Sequence, residues 1–202
     1  EVELVKALLE HGAHFDTAVV HGSPGRRFSA DFSIRSQLIG RNAFWMAAKY
    51  GEVEIFKLLL AEGADPLVVD DGGVTTLQVA MGNSGSSLDW RRDRIGNEAL
   101  DLEDEERRTL ELAKILIDEG VEVNAVDNRG RAAIHHAVLK NFPTVVEYLA
   151  MRGADINMPT DRGLTPFVLA DAVQAIPGTN GLRGTRPEVA ALLRRLGADE
   201  SE

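Results

Sequence analysis

The chain has 202 residues with 44% hydrophobic content, enough for one folded domain that buries about 70% of the surface exposed in its unfolded form. Its net charge of -10 excludes a general nucleic-acid surface, which needs clustered Lys and Arg, and favours a basic or neutral protein partner. With no cysteine and no apolar run near the roughly 20 residues of a membrane span, disulfides, thiolate metal sites and membrane insertion are also excluded, while the redox compartment stays open.

Five apolar helix patterns follow one another along the chain, and each ends in a turn of small residues. The turns read HGAH at residue 11, EGAD at 62, EGVE at 119, RGAD at 152 and LGAD at 196. Apolar residues recur at helical spacing before each turn, as in Ile55, Leu58 and Leu59, so one face of each helix packs and the other meets solvent. The glycine of each turn fits a left-handed helix end, which a residue without a β-carbon adopts at least cost.

A second, shorter helix pattern precedes four of these helices. It reads GRNAFWMAA from Gly40, GVTTLQVA from Gly73, GRAAIHHAV from Gly130 and GLTPFVLA from Gly163. Gly130 and Gly163 are 33 residues apart, as are Gly120 and Gly153, so the helix pairs repeat with one period. Because a single pair cannot cover its own apolar faces, we expect neighbouring pairs to stack.

These motifs resemble the ankyrin-repeat family, whose pattern is DxxGxTPLHxAA, then a second helix, then LLxxGADxN. The matching residues are Asp127, Gly130, Ile134, His135, Ala137, Gly153, Ala154, Asp155 and Asn157, then Gly163, Thr165, Pro166 and Ala170, and also Gly63, Ala64 and Asp65. The resemblance implies an all-α solenoid of about five stacked antiparallel helix pairs, the first incomplete, with finger-like turns between them. It also implies protein binding rather than catalysis, on a concave surface of fingers and first helices, and a structural role for His135, whose side chain would bond backbone in neighbouring turns.

We expect one ankyrin-repeat domain over residues 1–202, with insertions that interrupt its period. The expected order is a partial repeat 1–16, an insertion 17–36, a repeat 37–69, a repeat 70–126 with insertion 83–106, a repeat 127–159, and a repeat 160–202 with insertion 174–184. Such long insertions resemble those of bacterial ankyrin-repeat proteins. Because the chain opens at Glu1 in a second-helix pattern, we also expect it to be part of a longer protein.

The positions that the family leaves free to vary form the candidate partner-binding surface. They are Arg41, Lys49, Tyr50, Val69, Asp71, Val74, Asn128, Arg129, Arg131, Leu139, Lys140, Asp161, Arg162 and Leu164. Aromatic and Arg side chains of this kind are typical anchors of interface cores. We expect a protein partner for a monomeric chain, with no nucleic acid and no membrane.

The second insertion offers another candidate contact, because it places Trp90 next to Arg91 and Arg92. Trp and Arg are enriched at interface hot spots. Two interpretations stay open for Trp90: it folds back onto the array, or it contacts the partner.

No catalytic or metal-binding motif is expected. His11, His14 and His21 are close in sequence, but one lies at a helix end and the next in a finger, so their side chains need not converge. The stretch GNSGS from Gly82 departs from the GxSxG nucleophile motif, because its second glycine arrives one residue early. We therefore expect no enzyme, cofactor or metal. The alternative that stays open is a small-ligand or enzymatic site completed by the inserted loops.

Overall fold

The structure is a computed structural model that describes residues 1–20, 40–70, 72–82, 102–171, 174–175, 182–183 and 186–199. Helices occupy most of these ranges: α1 (Val2–Glu10), α2 (Ala43–Tyr50), α3 (Val53–Ala61), α4 (Thr76–Ala80), α5 (Leu102–Asp118), α6 (Ala133–Lys140), α7 (Pro143–Met151), α8 (Pro166–Asp171) and α9 (Pro187–Leu196). Two short strands, β1 (Gln174–Ala175) and β2 (Leu182–Arg183), pair antiparallel within the predicted insertion 174–184. The prediction of an all-α array is confirmed.

The helices form two layers. The inner helices α2, α4, α6 and α8 pack each against the next, and so do the outer helices α1, α3, α5, α7 and α9. Each inner helix also packs against the outer helix that follows it. The core between the layers contains fully buried side chains such as Phe56, Leu112, Ile134 and Leu149. The stacking of helix pairs that the repeat predicts is therefore present.

Helix α5 is longer than the other outer helices and reaches the next unit. It has 17 residues, against 9 in α7, and it begins within the predicted insertion 83–106, so residues 102–106 are helical. Glu105 pairs with Lys140 at 2.6 Å, and Glu106 accepts hydrogen bonds from the backbone N–H and the hydroxyl of Thr144. Because Phe142 precedes α7 and offers no side-chain acceptor, Glu106 caps α7 from the neighbouring unit.

Two turn glycines have the same backbone conformation but different surroundings. Gly130 and Gly153 have φ of 69° and 92°. A β-carbon on Gly153 would meet nothing within 4 Å, whereas one on Gly130 would lie 2.7 Å from the backbone nitrogen of Asp161.

We expect Gly130→Ala to lower the free energy of unfolding by about 2 kcal/mol and Gly153→Ala by about 1 kcal/mol. Both substitutions strain the backbone, but only the first also pushes against the next turn of the array. Urea unfolding of the two variants measures the difference. Equal losses would show that the close approach of Asp161 contributes nothing.

Candidate partner-binding surface

The turns between units have one repeated geometry, and we name the second, third and fourth of them as fingers: residues 69–75, 126–132 and 159–165. Each finger holds one residue whose side-chain oxygen faces two backbone N–H groups of the turn, and these are Asp70, Asp127 and Thr160. In the third finger, Asp127 Oδ1 accepts from the N–H groups of Arg129 and Arg131, both at 2.9 Å. The finger conformation is therefore fixed from within.

Successive fingers are also bonded to each other. The N–H of Asn128 donates to the carbonyl of Gly72 at 2.9 Å, and the N–H of Asp161 donates to the carbonyl of Arg129 at 3.1 Å. These bonds join the three fingers into one row. The backbone positions that carry the exposed side chains are consequently fixed relative to one another.

Two buried polar side chains, Gln78 on α4 and His135 on α6, each connect an inner helix to the turn of the next unit. His135 Nδ1 accepts from the N–H of Ala132 at 3.0 Å, and its Nε2 lies 2.9 Å from the carbonyl of Met158. Gln78 makes the corresponding contacts in the preceding unit, because it accepts from the N–H of Thr75 and donates to the carbonyl of Ala125. The predicted structural role of His135 is confirmed, whereas the sequence analysis did not identify Gln78, although both residues stand at the fourth position of their TTLQ and AAIH motifs.

Asparagine recurs after 33 residues because it bridges neighbouring turns. The amide of Asn124 donates to the carbonyl of Gly153 and accepts from the N–H of Asp155, both at 2.9 Å. Asn157 accepts from the N–H of Asp199 at 2.9 Å in the next unit.

Two of the arginines predicted to bind a partner are engaged inside the chain. Arg41 bonds Asp70 at 2.6 Å, and Arg131 bonds Asp127 Oδ2 at 3.1 and 2.8 Å. Burial by itself raises the pKa of Asp127, but the backbone and guanidinium hydrogen bonds from Arg131 and the backbone N–H of Arg129 outweigh it, so the pKa is lowered. Asp127 is therefore an ionised carboxylate that forms an ion pair with Arg131 of the same finger.

Comparison of the sequence with known protein families identifies the family to which this chain belongs. A family model described as ankyrin repeats (many copies) matches residues 99–170, and one described as ankyrin repeat matches residues 39–71. A putative ankyrin repeat protein of fowlpox virus is 30% identical over 135 residues, which are 61% of this chain and 71% of that protein. The chain belongs to the ankyrin-repeat family.

Other relatives are much longer than this ankyrin-repeat chain. Neurogenic locus notch homolog protein 1 of Homo sapiens is 32% identical over 143 residues, which are 65% of this chain and 6% of that protein. B-cell lymphoma 3 protein homolog of Mus musculus is 29% identical over 160 residues, 72% of this chain and 33% of that protein. Because these relatives are human, mouse and viral, the expected likeness to bacterial ankyrin-repeat proteins is not supported.

The remaining predicted contact residues of the ankyrin surface fall into three groups. Asn128, Arg129, Asp161, Arg162, Val69 and Tyr50 are exposed. Val74, Leu139 and Leu164 are half-buried against the core. Two cations contact the chain itself, since Lys140 pairs with Glu105 and the ammonium of Lys49 lies 5.2 Å from the ring centre of Tyr50. Asp71 and Trp90 lie outside the described residues.

Three exposed apolar residues near the second and third fingers are not among the contact residues predicted from the sequence. Leu67, Val68 and Val126 are 56%, 45% and 46% exposed. Leu67 stands four residues after Gly63, where the unit after Gly120 has the bridging Asn124. That replacement of a bridging amide by leucine is the signal that could have identified this patch.

His136 is buried on α6 beside the third finger. Its Nε2 lies 4.0 Å from Asp127 Oδ2 and has no hydrogen-bond partner among the described residues. Burial first, and then the positive charge of Arg131, lowers the pKa of His136 to about 3. Burial also lowers the pKa of its neighbour His135, so both imidazoles are neutral in the folded chain at neutral pH.

This burial predicts an acid-sensitive fold. The unfolded chain takes up a proton on His136 as pH falls below about 6.5, whereas the folded chain does so only near 3, so stability is lost across that window. At pH 5 we expect His136 to have cost about 2 kcal/mol of unfolding free energy relative to neutral pH. Urea unfolding of the wild type and of His136→Gln at both pH values checks this, because the variant should lose that part of the pH dependence. An unchanged pH dependence would contradict it.

Two features of the described residues bear on the enzymatic alternative. Within it, no three His, Asp or Glu side chains converge as ligands of a metal would. A cleft of about 300 Å³ lies among α1, α3 and α5 of the outer layer, lined on one side by Arg107 and Arg108. The inserted loops of that alternative fall mostly on residues outside the described ranges.

No helix in the described ranges has the length and apolar character needed to cross a bilayer.

Proposed function

We propose that this chain binds a partner protein through its fingers and the exposed parts of its inner helices. Ankyrin repeats mediate protein–protein interactions, and the observation that carries the proposal for this surface is the hydrogen-bonded row of fingers. A row that is rigid before binding lowers the cost of ordering its side chains. In this proposal the chain acts as a monomer.

The exposed apolar side chains also support a binding site on the fingers and inner helices. Most of the large apolar side chains that are exposed in the described ranges lie on or next to fingers and inner helices: Val20, Tyr50, Leu67, Val68, Val69 and Val126. Clustered apolar exposure marks interaction sites on soluble proteins. Arg41 and Arg131 then serve to hold the fingers, and contact with the partner is left to Tyr50, Val69 and Arg129.

We expect Tyr50→Ala and Arg129→Ala each to weaken partner binding by about 1 kcal/mol or more, because aromatic and Arg anchors carry most interface energy. The thermal midpoint should hardly change, since both side chains are exposed. The partner is first captured by pull-down from cells of the source organism and identified, and its affinity for each purified variant is then measured by calorimetry.

Two further variants make this experiment decisive. Met151→Ala removes a side chain that is 72% exposed on the outer layer, so it should leave affinity unchanged. Trp90→Ala tests the rival contact in the second insertion. The proposal is wrong if Tyr50→Ala and Arg129→Ala leave affinity intact while Trp90→Ala abolishes binding without unfolding the chain.

A further inference from the structure

Two arginines differ from every other cation that the structure describes. In the ranges 1–20, 40–70, 72–82, 102–171 and 186–199, all Lys and Arg side chains apart from Arg129 and Arg162 lie against a carboxylate, a carbonyl oxygen or an aromatic ring of the same chain. Arg129 and Arg162 are exposed and have no such neighbour there. Their charges are therefore available to another molecule.

The two arginines also occupy the same position of adjacent fingers. Arg129 follows Asp127 by two residues and Arg162 follows Thr160 by two, so in each case the N–H of the arginine faces the side-chain oxygen that closes the finger. The bond from the N–H of Asp161 to the carbonyl of Arg129 joins the two fingers. A pair of guanidinium groups is thus presented from a connected, pre-formed backbone.

Arg131 shows what a structural arginine looks like in the same finger. Its guanidinium makes two hydrogen bonds to Asp127, whose side chain is only 1% exposed. The third finger therefore supplies a buried carboxylate for Arg131 and none for Arg129. Support of the finger explains the first arginine, whereas the second has no such role among the residues that the structure describes.

We infer that the third and fourth fingers bind an acidic segment of the partner protein, whose carboxylates pair with Arg129 and Arg162. This inference rests on the proposed function and names the chemistry of the partner. A guanidinium matches a carboxylate through two parallel hydrogen bonds, which gives the pair both energy and orientation. The exposed Val126 of the third finger offers an apolar contact beside the pair.

Asp161 limits which acidic segment fits. It is exposed between the two arginines in sequence, and an unbroken run of carboxylates would meet its charge. The segment therefore has acidic residues separated by uncharged or apolar ones. Nucleic acid fits less well, because its closely spaced phosphates would meet Asp161 and it requires a larger cluster of cations.

The net charge of -10 does not prevent the binding of an acidic segment at the third and fourth fingers. Charges are screened over about 8 Å at physiological ionic strength, so the groups nearest the segment decide its preference. The sequence-based expectation of a basic or neutral partner rested on the charge of the whole chain, whereas the third and fourth fingers present two cations that have no partner within the described ranges.

The test uses a displayed library of random dodecapeptides selected against the purified chain. We expect selection of peptides rich in Asp and Glu with apolar residues between them. The strongest of these should bind the double variant Arg129→Gln/Arg162→Gln about ten-fold more weakly or worse, with a reduced dependence on salt. The matched control Lys114→Gln/Arg195→Gln removes the same charge from outer helices and should bind like the wild type.

Amide chemical shifts of the labelled chain distinguish the ways in which this can fail. Neutral or basic peptides that shift the fingers would overturn the acidic segment and leave the proposed function standing. Selected peptides that shift only the outer helices would overturn both. Tighter binding of a single-stranded oligonucleotide at the same fingers, equal binding by the two double variants, or a library without binders would also contradict the inference.

Discussion

Arg186→Ala is expected to lower the free energy of unfolding by about 3 kcal/mol, because it removes charged hydrogen bonds from a buried site. The guanidinium of Arg186 donates to the carbonyl of Leu169 at 3.0 Å and to the carbonyl of Leu139 at 3.1 and 3.3 Å. These carbonyls lie in the last turns of α8 and α6, where the helices leave carbonyl groups without internal partners. One side chain before α9 therefore completes the ends of two inner helices.

Urea unfolding measures this loss against two related variants. Arg195→Ala removes an arginine from the last turn of α9, but its side chain is 70% exposed, so the loss should be small. Arg186→Lys keeps the charge without the planar fork, so we expect it to recover only part of the loss. A loss at Arg186 as small as that at Arg195 would show that the buried bonds do not support the array.

Gln78→Leu is expected to cost about 3 kcal/mol, because it removes the three hydrogen bonds that a buried side chain makes to backbone groups. Gln78 is fully buried, accepts from the N–H of Thr75 at 2.8 Å, and donates to the carbonyls of Ala125 and Arg131, also at 2.8 Å. Leucine has a similar volume, so the loss reports the hydrogen bonds rather than a cavity.

Gln78→His is the matched variant, since His135 makes two of these three contacts one unit later, with the N–H of Ala132 and the carbonyl of Met158. We expect histidine at position 78 to restore part of the stability that leucine loses, measured by urea unfolding at neutral pH. If histidine and leucine cost the same, the bridge between inner helix and next finger is not what stabilises this junction.

The repeat could be predicted from the sequence because its signals are local. Apolar spacing and turn glycines such as Gly120 and Gly153 recur with the period, and each signal reports a conformation of its own neighbourhood. The start of α5 at Leu102 does not follow from this spacing, although the acidic run 103–106 is typical of the start of a helix. Counting residues between glycines measures how long an insertion is, but it does not show that the last residues of the insertion are helical.

The sequence predicts which side chains lie on fingers and inner helices, but not which of them the fold itself engages. Arg129 and Arg131 look alike in the stretch DNRGR, yet only Arg131 reaches the buried Asp127. Similarly, nothing in the sequence near Arg41 shows that its guanidinium contacts Asp70 of the following finger. Which charge meets which depends on how the units stack, so the sequence supplies candidates and the packing selects among them.

We propose that fingers and inner helices form the recognition surface. Amide chemical-shift mapping of the isotopically labelled chain with its captured partner checks this proposal residue by residue. We expect the largest changes in fingers 69–75, 126–132 and 159–165 and at the end of α2 around Tyr50, with α7 and α9 little affected. Changes confined to the outer helices, with the fingers unchanged, would contradict the claim.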